Sequence, residues 1–234
     1  MGEDRPREGT QSRGEVITTT EKRFQFYGRR KGKSLRRHHS ELMDQLLPHL
    51  RVDLADPLAK MGERRWLEIG FGGGEHLAHQ ASLHPDVSFI GAEPFVNGVA
   101  KMLALVEEQN LANVKIHDGD ARPLLEALPE ASFERTYLLY PDPWPKARHN
   151  KRRFVSPENL SHFHRVLKPD GLFLFASDIE DYVDWTRAHV SEHGGFAEEG
   201  DPAQPYENWI QTRYEAKARR EGRGSNYLTF RRKG

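Results

Sequence analysis

The chain has 234 residues, 36% of them hydrophobic, and its 35 Lys and Arg are balanced by 35 Asp and Glu. It has no cysteine, which removes disulfides, thiolate metal sites, iron–sulfur clusters and cysteine nucleophiles, and no apolar run approaches the roughly 18 residues that a membrane-crossing helix needs. The length suits one domain with a polar tail, and residues 1–14 lack the apolar core of a secretory signal, so a cytoplasmic protein is expected.

Met1 to Glu21 carries few apolar residues and reads as a disordered tail. Lys22 to Ser40 holds eight Lys or Arg and no acid. Phe24, Phe26 and Tyr27 lie among them, placed either to pack this arm onto the domain or to stack on bases. Leu42, Met43, Leu46, Leu47 and Leu50 recur at helical spacing, with Ser40 as the N-cap, so a basic arm and an N-terminal helix make up residues 22–60. From Arg65 strands and helices alternate. Trp66 to Ile69 is a strand that runs into Gly70-Phe71-Gly72-Gly73-Gly74 and a helix over 75–83. Val87 to Ala92 is a strand ending at Glu93, Val96 to Gln109 a helix, and Val114 to His117 a strand followed by Asp118-Gly119-Asp120. A short helix over 123–128 leads to the strand Phe133 to Tyr140 and then to Pro141-Asp142-Pro143-Trp144-Pro145. Ser156-Pro157 opens a helix that runs to Leu167. Lys168 to Gly171 is a turn, Leu172 to Ala176 a strand ending at Ser177-Asp178, and residues 181–193 a helix. Tyr227 to Phe230 is the last strand.

This alternation predicts an α/β domain over residues 61–234, with a mostly parallel sheet and helices on both faces. Ligands of such sheets bind beyond the C-terminal ends of the strands. Glu68, Glu93, Asp120, Asp142 and Asp178 all fall there, and a purely structural protein has no reason to gather five acids on one rim. A nicotinamide dinucleotide site of the G-x-G-x-x-G type would need glycine at position 75, where this chain has Glu75. An acid is repelled by a pyrophosphate but favoured beside a cationic ligand. The stretch Leu67-Glu68-Ile69-Gly70-Phe71-Gly72-Gly73-Gly74 resembles motif I of the class I S-adenosylmethionine-dependent methyltransferases, whose fold is Rossmann-like with a seven-stranded sheet. The resemblance implies S-adenosyl-L-methionine as cofactor, bound through Glu68, Gly70, Gly72, Glu93, Asp120 and Asp142. Glu93 is positioned to accept the ribose hydroxyls and Asp120 the adenine amine.

Three prolines at alternate positions fix the backbone around Asp142. An Asp-Pro-aromatic triplet here resembles the nucleic-acid amino methyltransferases, but those carry two prolines between the polar residue and the ring. The run Tyr140-Pro141-Asp142-Pro143-Trp144-Pro145-Lys146-Ala147-Arg148-His149-Asn150-Lys151-Arg152-Arg153 is similar instead to the bacterial tRNA (guanine-N7)-methyltransferase family. The likeness extends to Glu68–Gly72, to Ser177-Asp178 and to Thr212-Arg213-Tyr214-Glu215, and covers residues 22–232. One departure is Pro145, where the family pattern leads us to expect His. The resemblance implies a tRNA (guanine(46)-N(7))-methyltransferase acting on the variable loop, with Asp142 catalytic. It implies substrate contacts from Lys146, Asp178, Thr212, Arg213, Tyr214 and Glu215. It also implies RNA contacts from Arg148, His149, Asn150, Lys151, Arg152 and Arg153.

Guanine N7 carries an in-plane lone pair and no proton, so it attacks a methyl group without a general base, and alignment is the main requirement. Asp142 near the base's N1–H and amino group would select guanine and stabilise the positive charge that develops. Basic blocks at 22–40, 146–153 and 213–233 suit a polyanion such as tRNA. His76 and His79 have no evident third ligand and read as surface residues, so no metal is expected. Tyr214 is equally suited to the core and to base stacking. A monomer or homodimer is expected. The rival readings are an amino methyltransferase on nucleic acid, a catalytically silent tRNA-binding protein and, last, a dinucleotide oxidoreductase.

Overall fold

The computed structural model describes residues 27–234. The expected disordered tail and the placement of Phe24 and Phe26 lie outside the described residues. In chain order the elements are α1 (Arg37–Gln45), α2 (Leu47–Leu50), β1 (Arg65–Ile69), α3 (Glu75–Leu83), β2 (Ser88–Ala92), α4 (Val96–Gln109), β3 (Val114–His117), α5 (Ala121–Ala127), β4 (Phe133–Leu139), a 3₁₀ helix (Ala147–Arg152), α6 (Pro157–Val166), β5 (Leu167–Ser177), α7 (Glu180–His193), β6 (Phe196–Glu199), α8 (Arg213–Arg220) and β7 (Asn226–Arg232). The strands form one sheet in the order β3-β2-β1-β4-β5-β7-β6. β1 to β5 pair in parallel, and β7 runs antiparallel to both of its neighbours, β5 and β6. This is the Rossmann-like, seven-stranded arrangement of the class I methyltransferases.

Alternation of side chains along each strand divides the core in two. Leu67, Ile69, Ile90 and Leu138 join one cluster with Leu124 of α5, Phe163 of α6 and Tyr182 of α7. Trp66, Phe89, Ile116 and Tyr137 join the other with Leu77 of α3 and Val99 and Leu103 of α4. Leu42 and Leu47 of the N-terminal helices belong to this second cluster. Strands follow one another outward from β1 to β3 on one side and from β4 to β5 on the other. The switch point therefore lies between β1 and β4, and their C-terminal ends open onto the site.

Three local expectations need correction. The N-terminal helix begins at Arg37 with Arg36 as its cap, and Ser40 lies inside it, its N–H donating to the Arg36 carbonyl. It is two helices, because Pro48 lacks the N–H that would carry the first through Leu46. Lys168 to Gly171 is no turn but part of β5. Leu167 pairs with Phe133 and Leu172 with Arg135, and the register shift between them is a bulge holding Asp170 at φ +60°. Finally, β6 and α8 were not expected. Three of the four β6 residues are exposed, and α8 reads Arg-Tyr-Glu-Ala-Lys-Ala-Arg-Arg, with only Glu215 and Ala218 buried, so neither shows an apolar stripe.

Candidate active site

The glycine loop follows directly from β1. Gly70 and Gly72 take φ of +73° and +59°, a region closed to most side chains, so the chain turns over the sheet edge to start α3. A Cβ on Gly98 would strike the Gly72 carbonyl, so α4 rests its first turn on the loop. Glu93 at the end of β2 ties these parts together. Its Oε2 accepts from the Gly72 N–H at 2.7 Å and its Oε1 from the Phe95 N–H at 2.9 Å. Burial pushes its carboxyl above the usual value, against the pull of those two bonds and of Arg213.

Beyond the strand ends lies a cavity of about 560 Å³, within the range of small-molecule sites. Gly70, Gly72, Glu93, Asp120, Asp142, Lys151, Arg152, Arg153, Arg213 and Tyr214 all line it. Asp120 caps α5, its Oδ1 accepting from the Arg122 N–H at 3.0 Å, and it is paired with the Arg122 guanidinium. Burial opposes its ionisation, but the bonds from Arg122 outweigh that and hold the carboxyl below the ordinary aspartate value.

Asp142 stands between two left-handed aromatic residues, Tyr140 at φ +49° and Trp144 at φ +44°. Bulky residues adopt this conformation only where the surroundings impose it. Tyr140 is fixed by its hydroxyl, which donates to Ser225 Oγ at 2.9 Å. The Asp142 side chain is exposed where it lines the cavity, and partial desolvation by its neighbours there pushes its carboxyl above the usual value. Tyr27, Gly28 and Arg29 complete the cavity from the far side. Their segment is clasped to the start of α4. The Gly32 N–H donates to Asn97 Oδ1 at 2.7 Å, Asn97 Nδ2 donates to the Lys33 carbonyl at 2.7 Å, and the Val96 N–H donates to the Arg30 carbonyl at 2.9 Å. No sequence pattern singled out Asn97 or Arg122.

Most of the other expected residues stand apart from the cavity. Glu68 follows Trp66 onto the α3 face of β1, where its Oε2 lies 2.7 Å from His76 Nδ1. His76 is therefore a buried partner of Glu68, not a surface histidine. Asp178 accepts from Arg223 Nε at 2.7 Å. Thr212 is the N-cap of α8, its Oγ1 accepting from the Glu215 N–H at 3.2 Å. Glu215 is buried and accepts from Trp209 Nε1 and Arg219 Nη2, both at 2.7 Å. Lys146 and Arg148 are exposed at the start of the 3₁₀ helix. His149 packs its ring edge-on to Trp144, and Asn150 Oδ1 is buried without a hydrogen-bond partner. Arg153 lines the cavity but is itself buried, donating to the Pro143 carbonyl at 2.9 Å and pairing with Asp181. Tyr214 is exposed, with the Arg213 guanidinium over its ring. Among the described residues Glu126, Glu158 and His162 form the one group with metal-ligand spacing, their ligand atoms within 4.8 Å of one another. None of the described helices is long and apolar enough to cross a membrane.

A family model described as "Putative methyltransferase" matches residues 63–228. The chain is 54% identical over 219 residues to the tRNA (guanine-N(7)-)-methyltransferase of Agrobacterium fabrum, covering 88% of this chain and 94% of that protein. It is 49% identical to the protein of the same name from Rhizobium meliloti, covering 95% of this chain and 99% of that protein. Its fold is similar to that of a 16S rRNA (adenine(1408)-N(1))-methyltransferase from Catenulisporales acidiphilia, with a TM-score of 0.52 at 15% identity, covering 78% of this chain and 92% of that one.

Proposed function

This chain belongs to the tRNA (guanine-N(7)-)-methyltransferase family and is an S-adenosyl-L-methionine-dependent enzyme that methylates guanine N7 in tRNA; we propose that the guanine lies in the variable loop and that Asp142 is the catalytic residue. When bound, S-adenosyl-L-methionine supplies an electrophilic methyl group on a sulfonium centre. The residues present fit it. Gly70 and Gly72 leave bare backbone at the cavity wall. Glu93 spends one acceptor position per oxygen on Gly72 and Phe95, and the remaining lone pairs can accept a pair of ribose hydroxyls. Asp120, kept ionised by Arg122, would accept the adenine amine. Glu68, beneath the loop and tied to His76, would act through its charge.

Asp142 would accept from the guanine N1–H and amino group, a donor pair that adenine lacks. Its negative charge is aimed at the ring that becomes positive. Arg213 and Tyr214 border the same space and would hold the base. Arg148, Lys151 and Arg152 would meet phosphates, which carry most of the affinity for a nucleic acid. Asp178, Thr212 and Glu215 would support these contacts from behind, through Arg223 and α8. The lone pair of N7 needs no base and no Lewis acid, so the reading requires no metal. A tRNA substrate puts the reaction in the cytoplasm, carried out by a monomer or homodimer.

The observation that carries this assignment is that Asp142 shares one cavity with Glu93 and Asp120, on a segment whose backbone is clamped by prolines and flanked by two left-handed aromatics. Labelled methyl transfer to unmodified tRNA, followed by strand cleavage specific for 7-methylguanine, tests it. Cleavage at one variable-loop guanine is expected. Label on an exocyclic amine, or at another site, would overturn the assignment.

A further inference from the structure

Arg152 sits where two aromatic rings meet. Its guanidinium carbon lies 4.5 Å from the centre of the Tyr27 ring and 4.9 Å from that of Trp144. The ring centres are 6.3 Å apart and the planes are inclined at 72°, so the rings form a corner around the guanidinium. Arg152 Nε is buried without a hydrogen-bond partner, and among the described residues no carboxylate pairs with this side chain. The corner thus holds a flat, delocalised cation by its π density. Both rings, Arg152 and Asp142 border the same cavity. Trp144 is kept there in a left-handed conformation, and Tyr27 belongs to the segment clasped by Asn97.

The reaction makes a second flat, delocalised cation in that cavity. The N7 lone pair forms the new bond to the methyl carbon while the carbon–sulfur bond breaks and its electron pair stays on sulfur. No proton leaves, and the positive charge passes from sulfur to the purine. We propose that the Tyr27–Trp144 corner receives the reacting guanine and stabilises the cation it becomes, and that Arg152 occupies the corner until RNA arrives and then moves to a phosphate. This rests on the N7 methylation described above. A neutral guanine gains less from ring faces than its methylated cation does, so the corner favours transition state and product over substrate, which is the condition for raising the rate.

The test uses the full chain with Trp144→Leu, Trp144→Phe, Tyr27→Leu and Tyr27→Phe. Two measurements are made: single-turnover methylation of tRNA, and titration of the S-adenosylhomocysteine-loaded protein with 7-methylguanosine and with guanosine. Retained affinity for S-adenosylhomocysteine shows that each variant is folded. The Leu variants should lose about 5- to 30-fold in rate and the Phe variants less than about 3-fold, as ring-face attraction predicts. The unsubstituted protein should prefer 7-methylguanosine to guanosine, and the Leu variants should lose that preference. Leu variants that methylate at the full rate, or a parent protein with no preference between the nucleosides, would overturn the corner. A parent protein that methylates no guanine N7 overturns the underlying activity instead, and the nucleoside titration still decides whether the corner binds the cation.

Discussion

Asp142 is exposed in the cavity, yet partial desolvation there raises its carboxyl above the ordinary aspartate value, and its anion is the form that can stabilise a cationic purine. Turnover should therefore fall as pH drops through a value above the usual aspartate range, and Asp142→Asn should remove that limb. The Asn variant should keep its cofactor affinity while single-turnover methylation drops by roughly 10²–10³; near-normal methylation would remove Asp142 from the chemistry. Asp120 behaves in the opposite sense. Its folded value lies below the unfolded one, so it adds stability above the unfolded value, and that contribution is lost as pH falls through the folded one. Asp120→Asn should flatten the acid side of a plot of stability against pH, followed by urea unfolding. The glycines and the acids were legible because strand ends and turns leave clear marks. Which acids face the cavity was not, since Glu68 and Leu67 differ only in which side of β1 they occupy.

At the scale of elements, the 3₁₀ helix Ala147–Arg152 and the residue after it divide a uniform run of basic residues by burial. Arg148 and Lys151 are exposed, whereas Arg153 is buried against Tyr182 and Trp185. Replacing Arg148 and Lys151 together should leave the melting temperature unchanged and reduce the slope of log affinity for tRNA against log salt by about 1–2. Replacing Arg153 should instead lower stability by on the order of 2 kcal/mol, through lost charge-assisted bonds. Thermal melts beside salt titrations separate the two effects. Sequence shows five equivalent cations here, because nothing local marks the one that turns inward. Thr212-x-x-Glu215 is a different case. The spacing is a helix-start pattern, and α8 begins there, so a signal was present in a segment too polar to suggest a helix.

For the whole molecule, the site unites the glycine loop, α4, the segment after β4, the N-terminal arm and the start of α8, so a ligand in the cavity braces all of them. S-adenosyl-L-methionine at about one hundred times its dissociation constant should add about 2.7 kcal/mol. That corresponds to a rise of roughly 5–10 °C in melting temperature for a domain of this size. An unchanged melting temperature at saturation would show that the cavity does not bind it. The parallel sheet was legible from the alternation of apolar strands and amphipathic helices, whereas β6 was hidden by its exposed side chains. The place of β7 between β5 and β6 has a further consequence during synthesis. β7 leaves the ribosome after both β5 and β6, yet β6 has no other partner among the described strands. Until it arrives the nascent chain carries the open edge of β5, with its unpaired backbone groups and the apolar Phe173 and Phe175 that flank it, and an open edge of this kind invites pairing with other chains. Slow or interrupted translation of β7 should therefore yield aggregated, not merely inactive, protein.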